Sequence, residues 1–134
     1  MKAPKLYFHD SGLVAHLTRW SDSEAMEAGA MSGAFLENFA IAEMYKAFQN
    51  AGMDAPLYYY RDRDGKEIDA VVELDGKVHP IEIKKTASPN RSMVKAFEVL
   101  DKSLVPRGQG ALVCLASSLG ALDSDTLVIP LWMV

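Results

Sequence analysis

Two carboxylates and a lysine stand where the chain otherwise reads as apolar strand. They are Asp69, Glu82 and Lys84, inside GKEIDAVVELDGKVHPIEIKK at residues 65–85. Buried charge is costly unless it is paired or coordinates a metal. Opposed like charges in a strand pair are destabilising. A hard divalent cation offsets that repulsion, since Mg²⁺ is typically held by one or two carboxylates together with water and phosphate oxygens. Ion pairing to Lys84 would offset part of it without a metal. The chemistry to be weighed is therefore cation-assisted work on a phosphate, against a plain ion-pair cluster at a sheet edge.

The spacing says which elements must position these groups. Asp64-Gly65 and Asp75-Gly76 are each flanked by strand-forming residues, and Asp-Gly is a leading signal for a two-residue type I′ hairpin turn. The stretch reads as a three-stranded antiparallel meander. With a turn at Asp75-Gly76, Leu74 pairs with Lys77, and counting back along both strands sets Asp69 across from Glu82. Lys84, two residues on, shares the face of Glu82. Pro80 has no N–H to give a ladder, so a bulge or a late start to pairing is open to its strand. A fourth group comes from a long helix over 33–50, with Ser32 as N-cap and Gly52 just past its end. Glu37 falls in the middle of its apolar stripe of Ala40, Ile41, Met44 and Phe48, opposite a polar side holding Asn38, Glu43, Lys46, Gln49 and Asn50. A carboxylate in a core-facing stripe needs a partner, and the acidic pair with its lysine is the nearest candidate. Glu37, Asp69, Glu82 and Lys84 thus converge by two independent periodicities.

The remaining segments complete one domain over 1–134. KLYF is a short extended piece, DSG a turn, and 13–20 a helix; 21–32 is a loop or loose helical turn. Met93, Ala96, Phe97, Leu100 and Leu104 recur at helical spacing. GALVCLA and TLVIPLWMV read as two further strands. The expected class is α/β (mixed α+β), a mixed sheet flanked by helices. Cys114 stands alone in an apolar run, a core residue rather than half of a disulfide. That fits a cytoplasmic protein, as does the want of a signal-peptide pattern or an apolar run of about 20 residues. The net charge of −4 counts against a surface that grips nucleic acid all over, though not against a local basic patch. His9, His16 and His79 have no metal-ligand spacing. Tyr58, Tyr59 and Tyr60 are strand formers first, and Trp132 and Met133 offer an apolar docking surface.

The series Glu37, Asp69 and IEIK (Glu82 and Lys84) resembles the motif of the PD-(D/E)XK phosphodiesterase superfamily. The order helix, three-stranded meander, helix, strand is similar to that superfamily's restriction-endonuclease-like core. More narrowly, KLYFHDSGL, GAFLENF, LYYYRDRDGKEIDAVVE and PIEIKK resemble the domain of unknown function at the C-terminal end of many bacterial and archaeal AAA-type ATPases. The resemblance implies Mg²⁺ or Mn²⁺ held by Asp69, Glu82 and the Ile83 carbonyl, with Glu37 joining through a water. The cation would polarise a phosphoryl oxygen and lower the pKa of a water. Lys84 would position that water or stabilise the developing negative charge. Lys85, Arg91, Lys95, Arg61 and Arg63 would contact DNA phosphates. No G-x-x-x-x-G-K-[ST] occurs, so nucleotide binding is expected from an ATPase module elsewhere in a longer protein, of which this chain would be the C-terminal part. The alternative is a catalytically inactive module serving that ATPase by homo-oligomerisation or target recognition.

Overall fold

The computed structural model describes residues 4–19, 22, 24, 29 and 31–134. Trp20 and most of the 21–32 segment lie outside the described residues.

The meander forms as the turn chemistry dictates. Strands β1 (Leu57–Arg61), β2 (Glu67–Leu74) and β3 (Lys77–Ile83) pair antiparallel in that order. Asp75 and Gly76 take φ of 52° and 71°, the two left-handed residues that a type I′ turn needs. Leu74 pairs with Lys77, and the register runs on to Ala70 with Ile81. The first hairpin differs from the two-residue turn expected at Asp64-Gly65. Its loop spans residues 62–66, because the Asp62 carboxylate accepts the N–H groups of Asp64 and Lys66 at 2.9 and 2.8 Å. Such side-chain capture of a loop's own backbone is what aspartate does well.

Three more strands complete a six-stranded mixed sheet: β4 (Gly110–Cys114), β5 (Gly120–Asp123) and β6 (Thr126–Pro130). The order is β1-β2-β3-β4-β6-β5, with β3, β4 and β6 mutually parallel. Short, polar β5 carries no alternation to announce it, and sequence reading passed over it. Pro80 neither bulges β3 nor delays its pairing with β2, since the register from Leu74 with Lys77 runs unbroken through Val71 with Pro80; the parallel ladder to β4 starts after it, at Ile81. Beyond β6, the expected last strand gives way to a 3-10 turn, Leu131–Met133, which leaves Trp132 exposed.

Helices cover both faces of the sheet. Helix α1 (Ser11–Leu17) starts earlier than expected, because Asp10 caps it by accepting from the Gly12 and Leu13 N–H groups. Helix α2 (Ser32–Asn50) has no side-chain N-cap. Ser32 is its first residue, and the Ser32 hydroxyl instead accepts from Lys85 Nζ at 2.9 Å. Gly52 follows with φ 72°. Leu36, Ala40 and Ile41 of α2 pack on Ala70, Ile83 and Val113. On the opposite face lies a 3-10 helix, Arg91–Lys102, where an α-helix was expected. Its burial repeats every three residues: Val94, Phe97 and Leu100 are buried and Ser92, Lys95, Glu98 and Asp101 exposed, as three residues per turn demands. The buried three pack on Ile68, Val71, Leu112 and Val128. Leu104 lies beyond the helix and is fully exposed.

That packing sets a tight limit at Gly110. A Cβ there would come within 2.8 Å of Phe97 Cε2 and 3.2 Å of Pro80 Cγ. Gly110→Ala is expected to cost about 1–3 kcal/mol through overpacking, read as a lowered urea midpoint with an unchanged slope.

Candidate functional site

The site lies where β2 and β3 part. Backbone pairing between them ends at Ala70 with Ile81. On the other side of β2, Tyr58 pairs with Val71 and Tyr60 with Ile68, so Asp69 and Ala70 together oppose Tyr59. This is a β-bulge, a device that re-aims side chains. Its effect is visible in the packing: Ile68 and Val71 share one core cluster although three positions apart. Asp69 turns into the gap, and its Oδ2 accepts the Ile83 N–H at 2.8 Å.

Glu82 is 6 % exposed. Its Oε1 takes the Lys84 ammonium at 2.5 Å, whereas buried Oε2 has no partner. Burial pushes both the Asp69 and the Glu82 carboxyl above the ordinary range; the Ile83 N–H opposes the first shift and Lys84 the second, and the Asp69 charge adds to the rise at Glu82. Burial alone would lower Lys84, but Glu82, Asp69 and Glu37 outweigh it and hold the ammonium protonated.

Glu37 reaches this region from the other face of the sheet. Glu82 is in register with Leu112, which packs under the 3-10 helix, while Glu37 belongs to α2. Asp69, in the gap, is within electrostatic reach of Glu37, Lys84 and Lys5. The four expected residues are therefore neighbours arranged around Asp69. Among the described residues no three aspartate, glutamate, histidine or cysteine side chains form a group that could hold a metal. A cage of three carboxylates does not fit these residues. A cation held by one or two carboxylates and water does fit the unpartnered Glu82 Oε2 beside Asp69.

The direct partners of Glu37 are residues that sequence reading left as plain extended chain. Lys5 Nζ and Tyr7 OH both bond Glu37 Oε1, at 2.8 and 2.7 Å, and Lys5 also reaches Glu67 Oε1 at 2.5 Å. Despite burial, these carboxylates raise the Lys5 pKa; burial followed by Glu37 raises that of Tyr7. Lys5 further sits 5.7 Å from the centre of the Tyr59 ring. The signal was present in KLYF, whose alternation puts Lys5 and Tyr7 on one side. Asn38, expected on the polar side of α2, is buried. Its side-chain amide accepts the Phe8 N–H at 2.7 Å and donates to the Phe8 carbonyl at 3.0 Å, docking the segment as a strand neighbour would. Asn38→Ala removes both bonds, at a cost of about 1–2 kcal/mol. Amide exchange at Phe8 should quicken while that of β4 stays unchanged.

The docked segment walls a cleft of about 650 Å³ lined by Tyr7, Tyr45, Tyr58 and Asp69 among others. The expected phosphate-contacting residues are dispersed. Arg61 and Arg63 lie at the β1–β2 loop, the end of the sheet that holds Asp69. Lys85 is engaged with Ser32. Arg91 donates to the Leu122 carbonyl at 3.1 Å, and with Lys95 it lines a separate cleft beside Asp123 and Asp125. His9 stacks edge-on against Tyr45 and His79 contacts the Gln109 carbonyl. Cys114 is free and buried, as expected.

Fold and site define a mixed α/β domain with a buried carboxylate–lysine cluster at the open end of its sheet. The chain belongs to the family described as Domain of unknown function (DUF4143), which matches residues 32–134. It is 32% identical over 103 residues to uncharacterized protein Rv2008c of Mycobacterium tuberculosis and to uncharacterized protein Mb2031c of Mycobacterium bovis. The match covers 77% of this chain and 22% of each relative, so the chain spans about a fifth of the length of the curated relatives it matches. No solved structure matches. Among the described residues, no helix is long and apolar enough to cross a membrane.

Proposed function

We propose that this domain is a divalent-cation-dependent phosphodiesterase of the PD-(D/E)XK kind, acting on DNA in the cytoplasm as part of a longer protein with an AAA-type ATPase module. The observation that carries the reading is Glu82: a carboxylate 6 % exposed, with one oxygen on Lys84 and the other unpartnered, next to an equally buried Asp69. An unpartnered buried polar atom calls for an explanation, and a cation supplies one. The meander followed by a crossover into parallel β4 is in keeping with a restriction-endonuclease-like core.

In this reading Asp69 and Glu82 hold Mg²⁺ or Mn²⁺, which supplies Lewis-acid polarisation of the phosphoryl oxygen. The bulge fixes Asp69 through its bond to the Ile83 N–H, so the carboxylate is positioned before substrate arrives. Lys84 donates to charge that develops on the phosphate, and its hold on Glu82 keeps it aimed. Arg61 and Arg63 lie at the proper end of the sheet to meet a phosphate backbone. Incubation with linear, nicked and branched DNA plus Mn²⁺ or Mg²⁺ tests the reading. Cleavage by the wild type that is lost in Glu82→Gln is expected; equal cleavage by both proteins, or by neither, refutes it.

A second reading is supported by the clamp on Glu37, whose carboxylate is already held by Lys5 and Tyr7. In it, the site is an inactive descendant, and the domain serves the ATPase through oligomerisation or target recognition, with exposed Trp132 and Met133 in the contact. Calorimetric titration separates the two: this second reading expects no heat of Mn²⁺ binding that depends on Glu82.

A further inference from the structure

We propose that the Lys5 ammonium stands in the place of a second cation, so that the site takes one divalent ion and not two. This rests on the phosphodiesterase reading. Many phosphodiesterases hold a pair of ions about 3.5–4 Å apart, with carboxylates bridging or flanking both. The charged groups here fall into two halves that meet at Asp69. On one side Glu82 pairs with Lys84 and leaves Oε2 buried and unpartnered. On the other, Lys5 bridges Glu37 and Glu67 at 2.8 and 2.5 Å and acts electrostatically on Asp69 as well. A single cation gathering two carboxylates near a third is the position a second metal would take, and an ammonium already fills it.

The formal charge agrees. Glu37, Glu67, Asp69 and Glu82 carry four negative charges, and Lys5 and Lys84 carry two positive ones. The remainder equals one divalent cation. Lys5 leaves one negative charge over from Glu37 and Glu67, Lys84 balances Glu82, and Asp69 between them supplies the second. Tyr7 and Asn38 make the arrangement durable. Tyr7 shares Glu37 Oε1 with Lys5, and Asn38 ties down Phe8 from both backbone atoms, so Lys5 is delivered on an anchored segment and not on a free tail.

The test is to count Mn²⁺ per chain by calorimetry and by the free-ion electron paramagnetic resonance signal, on the full chain. One ion is expected for the wild type, a second for Lys5→Gln, and still one for Tyr7→Phe, which removes a bond to Glu37 without changing charge. Two ions on the wild type, or one on Lys5→Gln with unchanged affinity, overturns the inference and leaves the phosphodiesterase reading standing. Binding to none of the three proteins sinks that reading, and this inference with it. A measurement that needs no variant is the acetylation rate of the Lys5 amine, followed by mass spectrometry. It should be slow without Mn²⁺ and equally slow at saturation. A several-fold acceleration on Mn²⁺ binding would mean that the ion displaces Lys5, and would refute the proposal.

Discussion

Lys84→Met is expected to lower the melting temperature at neutral pH by about 8 °C, and adding Glu82→Gln should restore more than half of the loss. Removing one member of a buried ion pair leaves the other charge uncompensated, an effect of about 3–5 kcal/mol when both are fully buried. Here Glu82 is buried but the Lys84 side chain is 42% exposed. Solvent screening therefore reduces the figure to roughly 2 kcal/mol, which corresponds to roughly 8 °C for a domain of this size. The pH dependence gives the signature. Glu82 is already pushed up by burial, with Lys84 pulling against it, and loss of the lysine raises it further. A carboxyl raised on folding contributes stability at low pH that is lost as pH climbs through its folded pKa. The deficit of Lys84→Met should therefore shrink as pH falls. A deficit independent of pH and untouched by Glu82→Gln would assign Lys84 to packing instead.

Asp69→Asn is expected to do two opposite things. Divalent-dependent cleavage should fall on the order of 10³-fold, with Mn²⁺ affinity falling in parallel. The melting temperature at pH 7 should rise. The gain follows from the cause of the Asp69 shift, which is burial, reinforced by Glu37 and opposed by the Ile83 N–H. Asparagine keeps an oxygen to accept that N–H and carries no charge to desolvate. Because burial raises the folded pKa of Asp69, wild type and variant should match below the unfolded value of 3.8, and the gap should open as pH rises. Stability gained where activity is lost marks a site whose charges are kept for function. Stability lost at every pH would make Asp69 a structural residue.

The parts of this molecule that were legible in its sequence are those fixed by short-range rules. Asp75-Gly76 sets a register that runs unbroken to Ala70, and from it the nearness of Asp69 to Glu82 and Lys84 could be read. Pro80 misled: it points to a bulge or late pairing, yet it sits within that unbroken register opposite Val71. What escaped was decided by the environment. The bulge at Asp69–Ala70 has no marker residue, since neither is glycine. Asn38 looks polar on a helical wheel, yet it is buried because an extended segment 30 residues earlier presents it with a backbone to bind. Val94, Phe97 and Leu100 suit either helix type at three-residue spacing, and the sheet below selects the tighter one. Lys5 and Tyr7 alternate as plainly as Glu82 and Lys84 do, but nothing local says which carboxylate they meet.

The 3-10 helix has a mechanical consequence. It rises about 2.0 Å per residue against about 1.5 Å in an α-helix, so its 12 residues reach about 6 Å farther than the same chain wound normally. The crossover that carries it leaves β3 after Ile83 and enters parallel β4 at Gly110. Stretched winding spaces Val94, Phe97 and Leu100 about 6 Å apart, so three side chains cover more of the sheet face than the same three would on an α-helix.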